Sequence, residues 1–149
     1  MRLGIQSGFK NADLRGWGCY FFTLCEMAIR IRRANGETFD MSDDDVIAAY
    51  EHCLKVGFIF TGTRDGKRIT CWVKNPPAIL NYLQNIIRFT QASHEINQPD
   101  ALFYPVFFDG NLTHFALGSK GGVIWDSWHP SAEARGLRLA ASNPYRWLR

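Results

Sequence analysis

Cys19, His114 and Asp126 are the residues whose types and positions carry the chemistry of nucleophilic catalysis. Cys19 follows the turn Gly16-Trp17-Gly18 and opens the run Tyr20-Phe21-Phe22-Thr23-Leu24-Cys25-Glu26-Met27-Ala28-Ile29-Arg30. At 3.6 residues per turn, Thr23, Glu26, Arg30 and Arg33 fall on one narrow polar stripe, and apolar side chains fill the rest of the circumference. That is the pattern of a helix buried in the middle of a domain. Cys19 lies four residues before Thr23 on the stripe, on the side of the helix that is not sealed into core, whereas Cys25 points elsewhere. A thiol in a first helical turn meets the positive end of the dipole and unpaired backbone N–H groups, which favour thiolate and can hold an oxyanion. Such a nucleophile still needs a base.

The runs Thr113-His114-Phe115-Ala116-Leu117-Gly118 and Val123-Ile124-Trp125-Asp126-Ser127-Trp128 supply one. Both read as strands, joined by the turn Ser119-Lys120-Gly121-Gly122. Centred on Lys120, the hairpin sets His114 directly opposite Asp126, where facing Cβ atoms lie about 4.5–5.5 Å apart. A carboxylate so placed fixes the imidazole tautomer and leaves the other ring nitrogen free for a thiol. A one-residue slip would turn the two side chains to opposite faces and make His129 the next base to consider.

The elements that must position these residues follow in chain order. Residues 1–18, with glycines at 4, 8, 16 and 18, read as an irregular approach segment. The central helix runs from about Cys19 to Arg33 and stops at Ala34-Asn35-Gly36. Ser42 caps a second, amphipathic helix that opens with Asp43, Asp44 and Asp45, repeats Val46, Ile47, Tyr50, Cys53 and Leu54, and ends at Gly57; Cys53 is core and His52 exposed surface. Phe58 to Phe60 and Ile69 to Val73 form a hairpin around Asp65-Gly66, with Cys71 in it. Asn75 caps a third helix, Pro76 its first residue, with Ile79, Leu80, Leu83, Ile86 and Ile87 facing the core. His94 follows in a polar segment with no partner in view. From Leu102 three short strands make an antiparallel meander, in which Pro105 requires an edge or an interruption. The tail from Ser127 to Arg149 reads as a covering segment with a short helix at about 131–136.

This order, Cys at the start of a buried helix, then helices, then His on a strand and Asp at the end of the next, resembles the papain-like cysteine peptidases. More closely it resembles their compact branch, which includes the leader peptidases of bacteriocin exporters. The residues that carry the resemblance are Gly18-Cys19 with the helix to Met27-Ala28, His114-Phe115-Ala116-Leu117, and Val123-Ile124-Trp125-Asp126, about a third of the chain. The resemblance implies a papain-like α+β domain over residues 1–149, in which the helix carrying the nucleophile packs on the meander. It implies Cys19 as nucleophile, His114 as base and Asp126 as orienter in an amide- or peptide-cleaving thiol hydrolase without a cofactor. It also leads one to expect a glutamine some six residues before the cysteine, where this chain has Asp13; Gln6 and Asn11 are the upstream amides that remain as oxyanion donors, beside the backbone N–H of Cys19. An amidase or endopeptidase acting on cell-wall peptides would use the same three residues. The alternative from another class is a catalytically silent binding module, for which the missing glutamine and the aromatics Trp17, Trp125 and Trp128 speak.

Composition excludes several other classes. With 149 residues, 46% hydrophobic and 14% aromatic, the chain has enough material for one well-packed domain. A net charge of +3 does not argue for a nucleic-acid partner, and Arg135, Arg138, Arg146 and Arg149 around Trp147 read as a solvated face. No apolar run has the length of a signal peptide or a membrane span, so a soluble, cytoplasmic protein is expected, and the resemblance implies a peptide or protein as its substrate. Cys19, Cys25, Cys53 and Cys71 include no C-x-x-C pair and match no usual zinc spacing, so no metal is expected either.

Overall fold

The computed structural model of the chain describes residues 1–110, 113–128 and 137–149. The fold is α+β, with four helices and two antiparallel sheets among these residues. Helix α1 spans Ala12–Trp17, α2 Cys19–Ala34, α3 Asp43–Val56 and α4 Pro76–Gln84. Strands β1 (Ile59–Arg64) and β2 (Lys67–Val73) form a hairpin. The larger sheet has the order β3-β7-β4-β5-β6, built from β3 (Ala92–Glu95), β4 (Tyr104–Asp109), β5 (Thr113–Ser119), β6 (Gly122–Trp125) and β7 (Tyr145–Leu148).

Helix α2 is the centre of the core. Phe21, Phe22, Leu24, Cys25, Ala28 and Ile29 have no measurable exposure, and burying each large apolar side chain contributes about 1.5–3 kcal/mol. The helix lies against β5 and β4 and also packs on α4. Part of its polar stripe is enclosed too: Thr23 and Glu26 are buried, Thr23 Oγ1 donating to the Cys19 carbonyl at 2.8 Å and Glu26 pairing with Arg30 at 2.9 Å. These bonds satisfy the polar atoms that burial would otherwise strand.

The approach segment contains a helix that the glycines conceal. Asn11 caps α1, its Oδ1 accepting from the Leu14 N–H at 3.0 Å. Gly18 then serves as the C-cap of α1 and the N-cap of α2, its N–H donating to the Leu14 carbonyl at 2.9 Å. A Cβ at Gly18 would stand 2.6 Å from that carbonyl oxygen, so only glycine lets the two helices abut and sets Cys19 at the first position of α2.

The second and third helices and the first hairpin form where expected. Ser42 and Asp45 make a capping box on α3, and Gly57 ends it in the left-handed conformation at φ 84°. Asp65 (φ 52°) and Gly66 (φ 75°) form the hairpin turn. Helix α4 stops at Asn85, which takes the left-handed conformation, so Ile86 and Ile87 leave the core-facing stripe and are exposed.

In the larger sheet, Pro105 is tolerated inside because β4 meets β7 only at Val106 and Tyr145. The expected hairpin register does not form. Leu117 pairs with Trp125, Gly118 with Val123 and Ser119 with Gly122, with an irregularity between Leu117 and Gly118. Gly122 sits at φ 104°, which moves the turn away from the assumed centre. The reading of the tail also needs correcting: its end is β7, inserted between β3 and β4, and Arg146 is buried rather than solvated. The segment at 131–136, Arg135, Asn111 and His129 lie outside the described residues. No helix among the described residues is long and apolar enough to cross a membrane.

Candidate active site

His114 and Asp126 meet as a buried pair. His114 has no measurable exposure and Asp126 is 2% exposed; His114 Nε2 lies 2.6 Å from Asp126 Oδ1. They meet although the register differs from the expected one, because continuing the Leu117–Trp125 pairing sets Trp128 opposite His114, two residues from Asp126. A two-residue change keeps a side chain on the same face, so Asp126 becomes a diagonal neighbour still within reach. The Trp128 ring stacks on His114 at 4.5 Å between centroids and 7° between planes. Its backbone N–H donates to Asp126 Oδ1 at 2.8 Å. Asp126 therefore accepts two bonds on one oxygen, and the stacked indole covers the imidazole.

The N-terminal segment holds Asp126 from behind. The Gly4 N–H donates to the Asp126 carbonyl at 3.2 Å and the Gln6 N–H to the Ser127 carbonyl at 3.0 Å. The Gln6 side chain is wholly buried: its Oε1 accepts from Ser127 Oγ at 2.7 Å and its Nε2 donates to the Arg15 carbonyl at 3.1 Å. Asn11 is spent on capping α1, and Asp13, whose carbonyl accepts from the Cys71 thiol at 3.5 Å, brings no side-chain N–H donor. None of Gln6, Asn11 and Asp13 lines the cleft around Cys19. Gln6 is thus a brace that joins the start of the chain to α1 and to the strand end carrying Asp126.

Cys19 opens onto a cleft of about 580 Å³ lined also by Trp17, Tyr20, Cys71, Trp72, His94, Phe115, Trp128 and Arg146. Cys19 is half-buried as a residue, and desolvation of its thiol pushes the pKa up to about 11. Backbone N–H groups of Phe115 and Tyr20 point at the sulfur and oppose that rise, while the charge of Asp126 adds to it. Desolvation outweighs these two N–H contacts, so burial disfavours the thiolate that the first-turn position is expected to favour. Phe115 directly follows His114 on β5, so the sulfur lies against the strand that carries His114. His114 Nδ1 is buried without a hydrogen-bond partner, so no bond joins it to the thiol in this state.

The sequence reading places Cys71 in the first hairpin and His94 in a polar segment, and neither of them at the Cys19 cleft that both line. Cys71 enters because an irregularity in the β1–β2 pairing leaves it at φ 56°, a left-handed conformation inside a strand. His94 is on β3 and faces Arg146 of β7 across the ladder. Among the aromatics, Trp17 and Trp72 are exposed and line the cleft, whereas Trp125 is core, its indole N–H donating to the Met1 carbonyl at 3.1 Å. No group of three or more metal-binding side chains occurs among the described residues. Comparison with family models, with curated proteins and with solved structures finds no match.

Proposed function

We propose that the chain is a papain-like cysteine hydrolase that cleaves an amide or peptide bond through an S-acyl intermediate on Cys19. The observation that carries this reading is the buried His114–Asp126 bond of 2.6 Å, which leaves His114 Nδ1 as a bare ring nitrogen beside the strand against which the Cys19 sulfur rests. With Nε2 engaged by Asp126, Nδ1 accepts the thiol proton as the sulfur attacks the substrate carbonyl carbon. The carbonyl π electrons pass to oxygen, and the first-turn N–H groups of α2 face the resulting oxyanion. The imidazolium then returns its proton to the leaving amine, the C–N bond breaks, and water activated by His114 hydrolyses the thioester. Because burial disfavours the thiolate, the proton moves during attack rather than before it.

An activated ester tests this without knowledge of the natural substrate. The protein is mixed with p-nitrophenyl acetate, quenched in acid and mapped by mass spectrometry. The acetyl group is expected on Cys19, with the ester turned over repeatedly. Acetyl groups spread over lysines, or turnover that survives Cys19→Ala, would overturn the reading.

The binding-module alternative has an observation of its own. His114 Nδ1 makes no bond to the Cys19 thiol, and exposed Trp17 and Trp72 flank the cleft. Absence of any acyl-enzyme in the same experiment is its expected result.

A further inference from the structure

The cleft at Cys19 contains one formal charge that the hydrolytic steps do not use. Arg146, 8% exposed, lines it, and its lining includes no Asp or Glu among the described residues. Arg30, Arg32 and Arg33 each have a carboxylate within ion-pair distance; Arg146 has none among the described residues. The guanidinium is nevertheless built in. Its Nη1 donates to the Asn143 carbonyl at 2.8 Å, and its plane lies over the rings of Phe107 and Phe115, 5.1 and 5.4 Å from their centroids. Its Nε and Nη2 groups are left without a protein acceptor among the described residues.

Burying an arginine with no counter-ion among the described residues is costly, and here burial lowers its pKa. An anion supplied from outside removes that cost. Phe115 links this charge to the reacting centre, since its N–H points at the Cys19 sulfur while its ring lies between Tyr20, stacked at 4.0 Å, and Arg146. His94, the exposed cross-strand partner of Arg146, has its pKa lowered by partial desolvation and by the arginine's charge, and it adds a hydrogen-bonding group to the lining. A planar fork with one positive charge matches a carboxylate; a phosphate dianion would leave a negative charge unmatched in the same lining.

We propose that Arg146 is the specificity-determining residue of the Cys19 cleft, receiving a carboxylate of the substrate while the exposed rings of Trp17 and Trp72 take its apolar flank. This rests on the reading of the cleft as a substrate site. The carboxylate is either an acidic side chain or the end of a peptide chain.

Binding tests this separately from catalysis, in the full-length Cys19→Ala protein by calorimetry. The probes are acetylated hexapeptides of alanine with one phenylalanine. One pair is amidated at its end and carries glutamate or glutamine next to the phenylalanine; the other carries glutamine and ends in a free acid or an amide. In one of the two pairs the acid is expected to bind about tenfold to a hundredfold tighter than its amide, the effect of charged hydrogen bonds, and that pair identifies the source. Cys19→Ala/Arg146→Lys, which keeps the charge and loses the fork, is expected to remove most of the difference. Equal binding of acid and amide in both pairs, including no binding by any, overturns the proposal. So does a preference that survives both Arg146→Lys and Arg146→Met in proteins whose circular dichroism matches the parent. Ester turnover at Cys19 without an acid preference would leave the hydrolase reading standing and remove this one, and an acid preference in a protein that never acylates would do the reverse.

Discussion

His114 and Asp126 are bonded at 2.6 Å although the sheet register does not set them opposite each other. The strand β6 ends at Trp125, and the carboxylate reaches His114 from just beyond it, while the Trp128 ring stacks on the imidazole. Two bonds, from His114 and from the Trp128 N–H, converge on Oδ1.

Removing that oxygen should therefore be felt in stability as well as activity. Asp126→Ala leaves a buried imidazole N–H and a backbone N–H unpaired, at about 1–3 kcal/mol for each unsatisfied group. Asp126→Asn retains an acceptor oxygen and is expected to unfold close to wild type while losing ester turnover, since the amide no longer stabilises an imidazolium. Urea melts of both variants check the order. Equal stability of Asp126→Ala and wild type would show that the pair does not form.

Gln6 is expected to act through the fold. Gln6→Ala loses the bonds to Ser127 Oγ and the Arg15 carbonyl, and thermal unfolding should drop by several degrees, about 1–3 kcal/mol for the buried groups left unpaired. Its amide exchange at residues 126–128 should speed up, because the N-terminal segment braces that strand end. A large loss of turnover with unchanged unfolding and exchange would instead make Gln6 an oxyanion donor.

The glycine between α1 and α2 should resist substitution. In Gly18→Ala the new methyl meets the Leu14 carbonyl oxygen at 2.6 Å, and overpacking of this kind costs about 1–3 kcal/mol. Because the junction sets Cys19, ester turnover should fall as well. A variant as stable and as fast as wild type would show that the two helices do not abut there.

Much of this arrangement was legible in sequence. The helices starting at Cys19, Asp43 and Pro76 announce themselves through apolar periodicity and caps, and the residue types at 19, 114 and 126 single themselves out. The misses have physical causes. The glycines at 4, 8, 16 and 18 hid the Asn11 cap of α1. A bulge between Leu117 and Gly118 is not encoded in alternation, and the proposed pairing of His114 with Asp126 survived only because the register moved by two rather than one. Strand β7 has just four residues, and Arg146 looked like surface charge because nothing local indicates that β7 is inserted between two others. The rise of the Cys19 thiol comes first from burial by the folded chain and then from the charge of Asp126, distant in sequence, with the Phe115 N–H opposing it.

That rise makes a pH prediction. Alkylation needs thiolate, and with the folded thiol raised to about 11 the rate at Cys19 should climb steadily from pH 7 to pH 10 with no plateau near neutrality. Cys25 and Cys53, fully buried, should stay unlabelled until the protein unfolds. Iodoacetamide labelling followed by peptide mass spectrometry checks both points. A plateau below pH 7 would mean that a thiolate–imidazolium pair already exists at rest.

The most direct measurement is the rate of p-nitrophenyl acetate turnover in wild type, His114→Ala and Cys19→Ala at pH 7. If Nδ1 of His114 takes the proton from Cys19, His114→Ala should fall by about 10²–10⁴, the usual contribution of a positioned base, toward the level of Cys19→Ala. A His114→Ala protein that hydrolyses the ester at the wild-type rate would contradict the assignment of His114 as the base.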